Sequence, residues 1–315
     1  GTELIGWGMA TGAWDAMQNE ASAGAVLTRD GRVTVSSSTA DIGTGTYTAM
    51  TQIAADALGV PLHDVVFELG DTRLPKAPIE GGSWTVSSVG SAVDAACKRL
   101  RNRLVELARQ YGGGRFASID RDDIRRMGKR LVCGHGTADA IDIDALLERA
   151  GLDKLEEQAT VKPHEKQQAY SMGTHSAIFV EARVDEALGT VRVTRVVSAV
   201  AAGHIVNPKT AASQVAGGVV WGISMALHEE GQFDHDIGRQ MNHNFAEYHV
   251  PVNADIHDID VLFVEEHDTI VNPLGVKGVG EIGVVGVAAA VSNAIWHATG
   301  KRVRDLPITL DKLFA

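Results

Sequence analysis

The sequence predicts an α+β protein built from two similar α/β subdomains. Its 315 residues, 44% of them hydrophobic, are enough for one large or two modest cores. Alternating apolar residues, which indicate paired strands, occur in two separate stretches. Each stretch is followed by a helix, a strand, a glycine-rich loop and another helix, at residues 21–111 and again at 174–300. We therefore expect one subdomain over residues 1–173 and a second over 174–315.

In the first half, apolar alternation on both sides of Asp30-Gly31 predicts a hairpin, because this dipeptide suits the positive φ angles of a tight turn. A helix is predicted to end at Gly59, since its apolar residues recur at helical spacing and glycine is the usual residue after a helix. A short strand at 64–71 and a glycine- and serine-rich stretch at 78–90 then lead to a long helix.

The second half repeats this order. A longer hairpin is predicted at 174–200, then a helix at 207–231, a strand at 258–268 and the final helix after residue 286. Residues 112–173 are polar, contain one short predicted helix, and are expected to form a bridging excursion between the subdomains. The apolar, glycine-spaced N-terminus is typical of a domain interior, so we expect the chain to be a fragment of a larger protein.

Composition excludes several classes of function. The formal net charge of -11 leaves no broad basic surface, so no nucleic-acid partner is expected. No run of about eighteen apolar residues and no export signal are found, which predicts no membrane partner and a cytoplasmic location. Two cysteines are too few for a disulfide framework or for a cysteine-ligated iron–sulfur cluster.

The stretch GVKGVGEIGVVG, at 275–286, contains the spacing Gly278-x-Gly280-x-x-Gly283, which is typical of dinucleotide-binding loops. A nicotinamide-binding site would need a strand leading directly into the glycines and an acidic residue about twenty positions later. Neither is present, so a nicotinamide-dependent dehydrogenase is disfavoured. Glu281 would also place a like charge beside a pyrophosphate.

The glycines of this stretch would still let the backbone approach a ligand closely. Glu281 would lie where the final helix begins, with Lys277 as the one long basic side chain nearby in sequence. Two interpretations of Glu281 stay open. It could be a general base, or an acidic residue placed in a first helical turn for its favourable interaction with the helix dipole.

Three more stretches combine small residues with hydrogen-bonding groups near a helix entrance. They are suited to anionic or amide-rich groups of a ligand, although ordinary loop and capping chemistry explains each one taken alone. The candidate residues are Gly43, Thr44, Gly45, Thr46 and Thr48; Ser83, Thr85, Ser87 and Ser88; and the amide of Gln214. Together these stretches predict a shell around one large, polar, phosphate-bearing ligand.

The sequence shows neither a zinc-protease motif nor a serine nucleophile motif. The chain has twelve histidines, but none forms the zinc-protease pattern with two histidines four apart and a glutamate between them. The stretch GISMA lacks the second glycine of a serine nucleophile elbow. No metal is therefore expected to be held by protein side chains alone.

Four motifs, taken in order, resemble the molybdenum hydroxylases, the xanthine dehydrogenase and aldehyde oxidase family. They are DIGTGTYTAMTQIAADALGVP, GGSWTVSSVGSAV, GHIVNPKTAASQVAGGVVWGISMAL and GVKGVGEIG. Their order and spacing resemble the C-terminal half of the molybdenum-binding subunit, and the likeness covers essentially the whole chain. It is greatest for bacterial aldehyde oxidoreductases whose molybdenum, flavin and iron–sulfur parts are separate chains.

The resemblance implies a molybdenum-cofactor-binding domain and a molybdopterin cofactor carrying molybdenum, in the cytosine dinucleotide form. It implies that Glu281 is the catalytic base of a reaction that hydroxylates an aldehyde or an N-heterocycle with oxygen from water. The residues implied to lie at the cofactor are Gly43, Thr44, Gly45, Thr46, Thr48, Ser83, Trp84, Thr85, Ser87, Ser88, Gln214, Lys277, Gly278, Val279 and Gly280. The molybdenum itself would be held by the pterin dithiolene.

The resemblance also implies partners: the N-terminal half of the molybdenum subunit, and chains carrying iron–sulfur clusters and FAD. Without that N-terminal half, the chain alone is expected to be inactive, and a homo-oligomer stays open. A signal-bearing partner would make a periplasmic location the alternative. Thr44 departs from the glutamine that many relatives have there, so its role is open. The competing hypothesis is a non-catalytic binding or assembly module with the same fold.

Overall fold

The computed structural model describes residues 3–134 and 139–314. Its strands are β1 (Glu3–Asp15), β2 (Ala21–Thr28), β3 (Val33–Ser36), β4 (Val65–Glu68), β5 (Ile124–Met127), β6 (Arg130–Cys133), β7 (Ala140–Asp142), β8 (Lys154–Val161), β9 (Gly173–Asp185), β10 (Thr190–Ala201), β11 (Phe233–Asp234), β12 (Arg239–Gln240) and β13 (Asp258–Phe263). Its α-helices are α1 (Thr46–Leu58), α2 (Ser91–Tyr111), α3 (Ile143–Arg149), α4 (Pro208–Leu227), α5 (Val287–Thr299) and α6 (Leu310–Phe314).

The described chain divides into two compact units. The first α/β unit comprises residues 17–171 and 268–276, and the second comprises residues 3–16, 172–267 and 277–314. In the first α/β unit, the strands lie in the order β4-β3-β2-β8. Helix α2 packs on β2 and β8, and α1 packs against α2 and β4. The α1 face predicted from helical spacing is buried, at Met50, Ile53, Ala54, Ala57 and Leu58.

In the second α/β unit, the strands lie in the order β1-β9-β10-β13, with α4 and α5 packed on the sheet. The core is formed by apolar side chains of β9 and β10, such as Ile178, and of the two helices, such as Val291. Helix α5 lies directly on β1, because a Cβ at Gly6 or Gly8 would overlap the backbone of α5. The glycine spacing of the N-terminal stretch is therefore a packing requirement.

The two units follow the same plan, which confirms the predicted repeat. In each, an antiparallel hairpin (β2-β3 or β9-β10) precedes a helix and a strand that runs parallel to the second hairpin strand. A glycine-containing loop and a second helix follow. A fourth strand, β8 or β1, completes each sheet by pairing antiparallel with the first hairpin strand.

Residues 112–173 are more structured than the predicted excursion. The short predicted helix is present as α3, but β5, β6 and β7 form a sheet of their own, and β8 joins the sheet of the first α/β unit. The buried guanidinium of Arg126 donates to the Gly31 carbonyl in the hairpin turn. The segment was missed as sheet because its strands are short and carry many charges, so their apolar alternation is weak.

The compact units differ from the predicted linear domains in two segments. Strand β1 lies in the second unit, because all thirteen of its residues pair with β9. Residues 268–276 lie in the first unit, where the Val271 carbonyl accepts a hydrogen bond from the Gln167 side chain at 2.6 Å. Both are long-range pairings that local sequence pattern cannot reveal. The predicted domain boundary at 173/174 lies close to the observed boundary between the two units after residue 171.

Two apolar stretches, Pro208–Leu227 and Glu281–Thr299, are long and apolar enough to cross a membrane by length and composition alone. No membrane-spanning segment was predicted from the apolar runs of the sequence. Each contributes buried side chains, such as Val219 and Ala290, to the core of the second α/β unit. Core packing thus accounts for part of their apolar character.

Candidate functional site

In the first α/β unit, the loop before α1 is organised by a carboxylate that the sequence analysis did not single out. Asp41 accepts hydrogen bonds from the backbone N–H groups of Gly43 (2.9 Å), Gly45 (3.3 Å) and Tyr47 (3.2 Å). Partial burial opposes ionisation of Asp41, but these amide hydrogen bonds outweigh it and lower its pKa. The loop is therefore shaped around an internal anion.

This arrangement corrects one sequence expectation. The amides of Gly43 and Gly45 were expected to face an anionic ligand, but they donate to Asp41. The hydroxyls of Thr44 and Thr46 lie 3.2 Å apart, and Thr48 is exposed in the first turn of α1. Gly43 has a φ of +102°, and the space where its Cβ would lie is open. Thr46 is buried, so the loop can offer the hydroxyls of Thr44 and Thr48 and the uncovered backbone at Gly43 to a ligand.

The second loop of this unit is tied to the first by Glu80. One carboxylate oxygen accepts from Thr39 Oγ1 (3.1 Å) and from the Ala40 N–H (3.3 Å), and the other accepts from Thr85 Oγ1 (3.2 Å). Residues 39–40 lead into the Asp41 loop, and Thr85 begins the turn before α2. Glu80 therefore fixes the spacing between two segments that were predicted separately to contact one ligand.

The backbone after Glu80 is unusual. Ser83 has a φ of 60°, the one positive φ among the described non-glycine residues, and Val86–Gly90 forms a π-helical turn that continues into α2. Both features are enriched at functional sites. Trp84, expected near the cofactor, donates through Nε1 to the Ile79 carbonyl at 2.7 Å.

Two predicted contact residues in this stretch have structural partners instead. The hydroxyl of Ser87 donates to the Met17 carbonyl at 2.7 Å, and that of Ser88 accepts from the Asn19 N–H at 2.9 Å. Both side chains are buried. In the structure, Ser87 and Ser88 therefore hold the π-helical turn against residues 17–19, and their direct contact with a ligand stays a prediction.

In the second α/β unit, Glu281 begins a short 3₁₀ turn, Glu281–Gly283, and α5 starts only at Val287. The sequence had placed Glu281 at the start of the helix itself. The next side chain, Ile282, is fully buried in a cluster with Val215 of α4. The turn is thus anchored directly beside the candidate base.

Gly283 brings this turn against α4. A Cβ on Gly283 would lie 2.7 Å from the Val215 carbonyl oxygen, and one on Gly218 would lie 2.6 Å from the Gly283 carbonyl carbon. Real Cβ atoms are not found this close, so both positions require glycine. Gln214 lies one residue before Val215 on the same helix, half-buried, and the space around a Cβ at Gly217 is open.

The stretch before Glu281 is also held firmly. Lys277 is buried, and its Nζ lies 2.6 Å from an oxygen of Glu266. The Gly278 carbonyl accepts from the buried hydroxyl of Thr174 at 2.9 Å, and Val279 packs with the Ile282 cluster. The ammonium of Lys277 thus faces Glu266, and the predicted cofactor contacts of Lys277, Gly278, Val279 and Gly280 stay predictions.

Four residues that organise these loops were not predicted from the sequence: Asp41, Glu80, Thr174 and Glu266. Asp41 had a usable signal, because an aspartate two residues before a glycine in a turn commonly accepts its amide. For the other three, the partners are distant in sequence or lie in loops, so no local pattern identified them.

Over residues 3–134 and 139–314, no three His, Cys, Asp or Glu side chains are grouped as a protein-held metal site would require. Burial, together with the charge of Asp94, raises the pKa of the Cys97 thiol to about 12, so it is a poor metal ligand at neutral pH. The loops of the first α/β unit offer hydroxyls and bare glycine backbone, and the second α/β unit offers an amide and one half-buried carboxylate. Such groups suit a large organic cofactor that brings its own metal.

Residues 1–257 match the family model described as "Molybdopterin cofactor-binding domain". The chain is 39% identical over 313 residues to the aldehyde oxidoreductase molybdenum-binding subunit PaoC of Escherichia coli K12, covering 99% of this chain and 41% of that protein. It is 28% identical to the xanthine dehydrogenase molybdenum-binding subunit of E. coli O157:H7, covering 96% of this chain and 40% of the relative.

Among solved structures, the fold matches quinoline 2-oxidoreductase from Pseudomonas putida 86 with a TM-score of 0.85 and 23% identity, over 99% of this chain and 42% of that one. The chain thus spans about two fifths of the length of these relatives. The family match ends before Glu281, whereas the alignment to PaoC extends over 99% of the chain. The resemblance inferred from the four motifs is confirmed: the chain belongs to the molybdopterin cofactor-binding domain family.

Proposed function

We propose that this chain is the C-terminal part of the molybdenum-binding subunit of an oxidoreductase that converts aldehydes to carboxylic acids with water as the oxygen source. The higher identity, 39%, is with an aldehyde oxidoreductase subunit, against 28% with a xanthine dehydrogenase subunit. Aldehydes are therefore the first substrate class to test, and N-heterocycles are the second.

The observation that carries the proposal is the placement of Glu281. The half-buried carboxylate of Glu281 lies on a turn that is fixed by the burial of Ile282 and by the contact between Gly283 and Gly218 of α4. Gln214 lies on α4 as well. General bases depend on such fixed placement near the reacting proton. A carboxylate that only favoured the helix dipole would need no such clamp, and α5 itself begins six residues later.

The residues fit a molybdopterin cofactor in the kind of groups they offer. Taken by itself, the first α/β unit offers the Thr44 hydroxyl and the open backbone at Gly43 to polar groups of such a cofactor. The second α/β unit, taken by itself, offers the amide of Gln214 and the glycine backbone at Gly278 and Gly280. We propose the cytosine dinucleotide form. When bound, this cofactor supplies the oxygen for transfer and accepts the electrons.

Within that reaction, Glu281 takes up a proton at its carboxylate as the oxygen from water is transferred to the aldehyde carbon. Oxidation of an aldehyde by water to a carboxylic acid releases two electrons and two protons. Glu281 can pass its proton to solvent because it is half-buried rather than enclosed. We propose that the electrons leave through partner chains carrying iron–sulfur clusters and FAD, and that the rest of the molybdenum subunit completes the substrate pocket.

Glu281→Gln in the native complex tests this function. Gln keeps the size of the side chain but cannot take up the proton, so turnover of an aromatic aldehyde should fall by about 10²–10⁴-fold with molybdenum content unchanged. Glu265→Gln is the matched control, since the Glu265 side chain is 91% exposed. Near-normal turnover of Glu281→Gln would reject the assignment of Glu281 as the general base.

A further inference from the structure

The stretch between residue 276 and Glu281 is fixed at three points within the second α/β unit. The Lys277 N–H donates to the Ala202 carbonyl at 3.1 Å, just after β10. The Gly278 carbonyl accepts from Thr174 Oγ1 at 2.9 Å, at the start of β9. The Lys277 ammonium lies 2.6 Å from Glu266, just after β13. Three neighbouring strands of one sheet therefore hold this short stretch.

The third attachment differs from the others because it joins a buried ammonium to a partly exposed carboxylate. The Lys277 side chain is only 5% exposed and that of Glu266 is 32% exposed. The second carboxylate oxygen of Glu266 accepts from the Gly203 N–H at 2.9 Å. Glu266 thus uses both oxygens, one toward the end of β10 and one toward Lys277.

Stability alone is a weak explanation for this pair. A buried ion pair commonly stabilises a fold no better than apolar side chains of similar volume, because both charges lose their hydration. It does impose a definite geometry, since the ammonium must stay at hydrogen-bonding distance from the carboxylate. A fixed geometry at residue 277 matters because Glu281 follows only four residues later.

We propose that Glu266 and Lys277 are positioning residues for Glu281. Their ion pair and the Thr174 hydrogen bond hold residues 277–280 in one conformation. The carboxylate of Glu281 is therefore preorganised in its reactive position. This inference rests on the proposed function of Glu281. It assigns Lys277 a role through the loop, whereas the family resemblance implied direct contact with the cofactor.

The test uses single and double variants in the native complex. Glu266→Gln alone leaves the buried Lys277 ammonium without its charged partner, and a lowered melting temperature is expected. Lys277→Met alone leaves the partly exposed Glu266 carboxylate, and a smaller decrease in melting temperature is expected. The double variant Glu266→Gln/Lys277→Met removes both charges, so its melting temperature and molybdenum content should return close to those of the unchanged complex. The kcat of the double variant should stay at least about 10-fold below that of the unchanged complex, with little change in the KM for the aldehyde. This pattern is expected when an interaction that stabilises only the transition state is lost.

Recovery of kcat together with stability in the double variant would overturn the inference, because the pair would then serve the fold alone. If the double variant does not assemble, Thr174→Val decides instead. It keeps the side-chain shape and removes only the hydrogen bond to Gly278, and a lower kcat at unchanged KM and molybdenum content is expected. An unchanged kcat in Thr174→Val would then count against positioning.

Glu281→Gln and Glu265→Gln, prepared alongside, separate the two hypotheses. An inactive Glu281→Gln with a fully active double variant rejects the positioning role and keeps the base. A Glu281→Gln variant with normal turnover rejects both. A reduced kcat in the double variant, with normal turnover in Glu265→Gln, supports the positioning role specifically.

Discussion

Thr85 donates a hydrogen bond to Glu80 at 3.2 Å, and the other oxygen of the same carboxylate accepts from Thr39 at 3.1 Å. A single side chain thereby joins the segment before the Asp41 loop to the turn that enters α2. Both segments carry residues expected at the cofactor. Within the first α/β unit, the spacing of these loops depends on a residue that no motif indicated.

Replacing Glu80 should therefore weaken cofactor retention. In Glu80→Ala, the segments lose their shared acceptor, and we expect cofactor affinity to fall by about 10-fold, the scale found when groups that orient a site are removed. Glu80→Gln keeps one acceptor oxygen, so its cofactor affinity should lie between those of Glu80→Ala and the unchanged protein. Molybdenum content after gel filtration measures the effect. Glu68→Ala, on the exposed side of β4, is the control, and equal loss from both variants would contradict the role of Glu80.

Acid should affect the Asp41 loop in a predictable direction. Because the folded-state pKa of Asp41 is lowered, its carboxylate contributes stability above the unfolded-state pKa of about 3.9, and this is lost as pH falls through the lower folded value. Asp41→Asn should thus melt below the unchanged protein at pH 7, and the gap should narrow below about pH 4. Asp56→Asn, exposed on α1, is the control. A gap independent of pH would reject this account.

Two adjacent glycines of α4 should respond in opposite ways to alanine. At Gly218 a Cβ would lie 2.6 Å from the backbone of Gly283, so Gly218→Ala should destabilise by about 1–3 kcal/mol and displace the Glu281 turn. At Gly217 nothing lies within 4 Å of the added Cβ, and Gly217→Ala should stabilise the helix by up to about 1 kcal/mol. Denaturant unfolding of the two variants compares them, and equal stabilities would contradict the packing described here.

The repeated plan was predictable because its signals are local. The Asp30-Gly31 turn, the apolar face of α1 and the glycine after it depend on a few neighbouring residues. The place of β1 in the second sheet was missed because its partner, β9, is remote in sequence. Strand β8 was missed because its charged residues weaken the apolar alternation. The site divides in the same way. Glu281 and the glycine loops stand out in the sequence, whereas Glu80 and Glu266 gain their roles only from what the fold brings beside them.

We propose above all that this chain binds a molybdopterin cofactor for oxidoreductase chemistry. The most direct measurement is the content of molybdenum and pterin nucleotide in the native complex that contains this chain, purified gently. We predict one molybdenum and one pterin dinucleotide per copy of the chain. A complete complex with neither molybdenum nor pterin would contradict the account and leave a binding module as the better hypothesis.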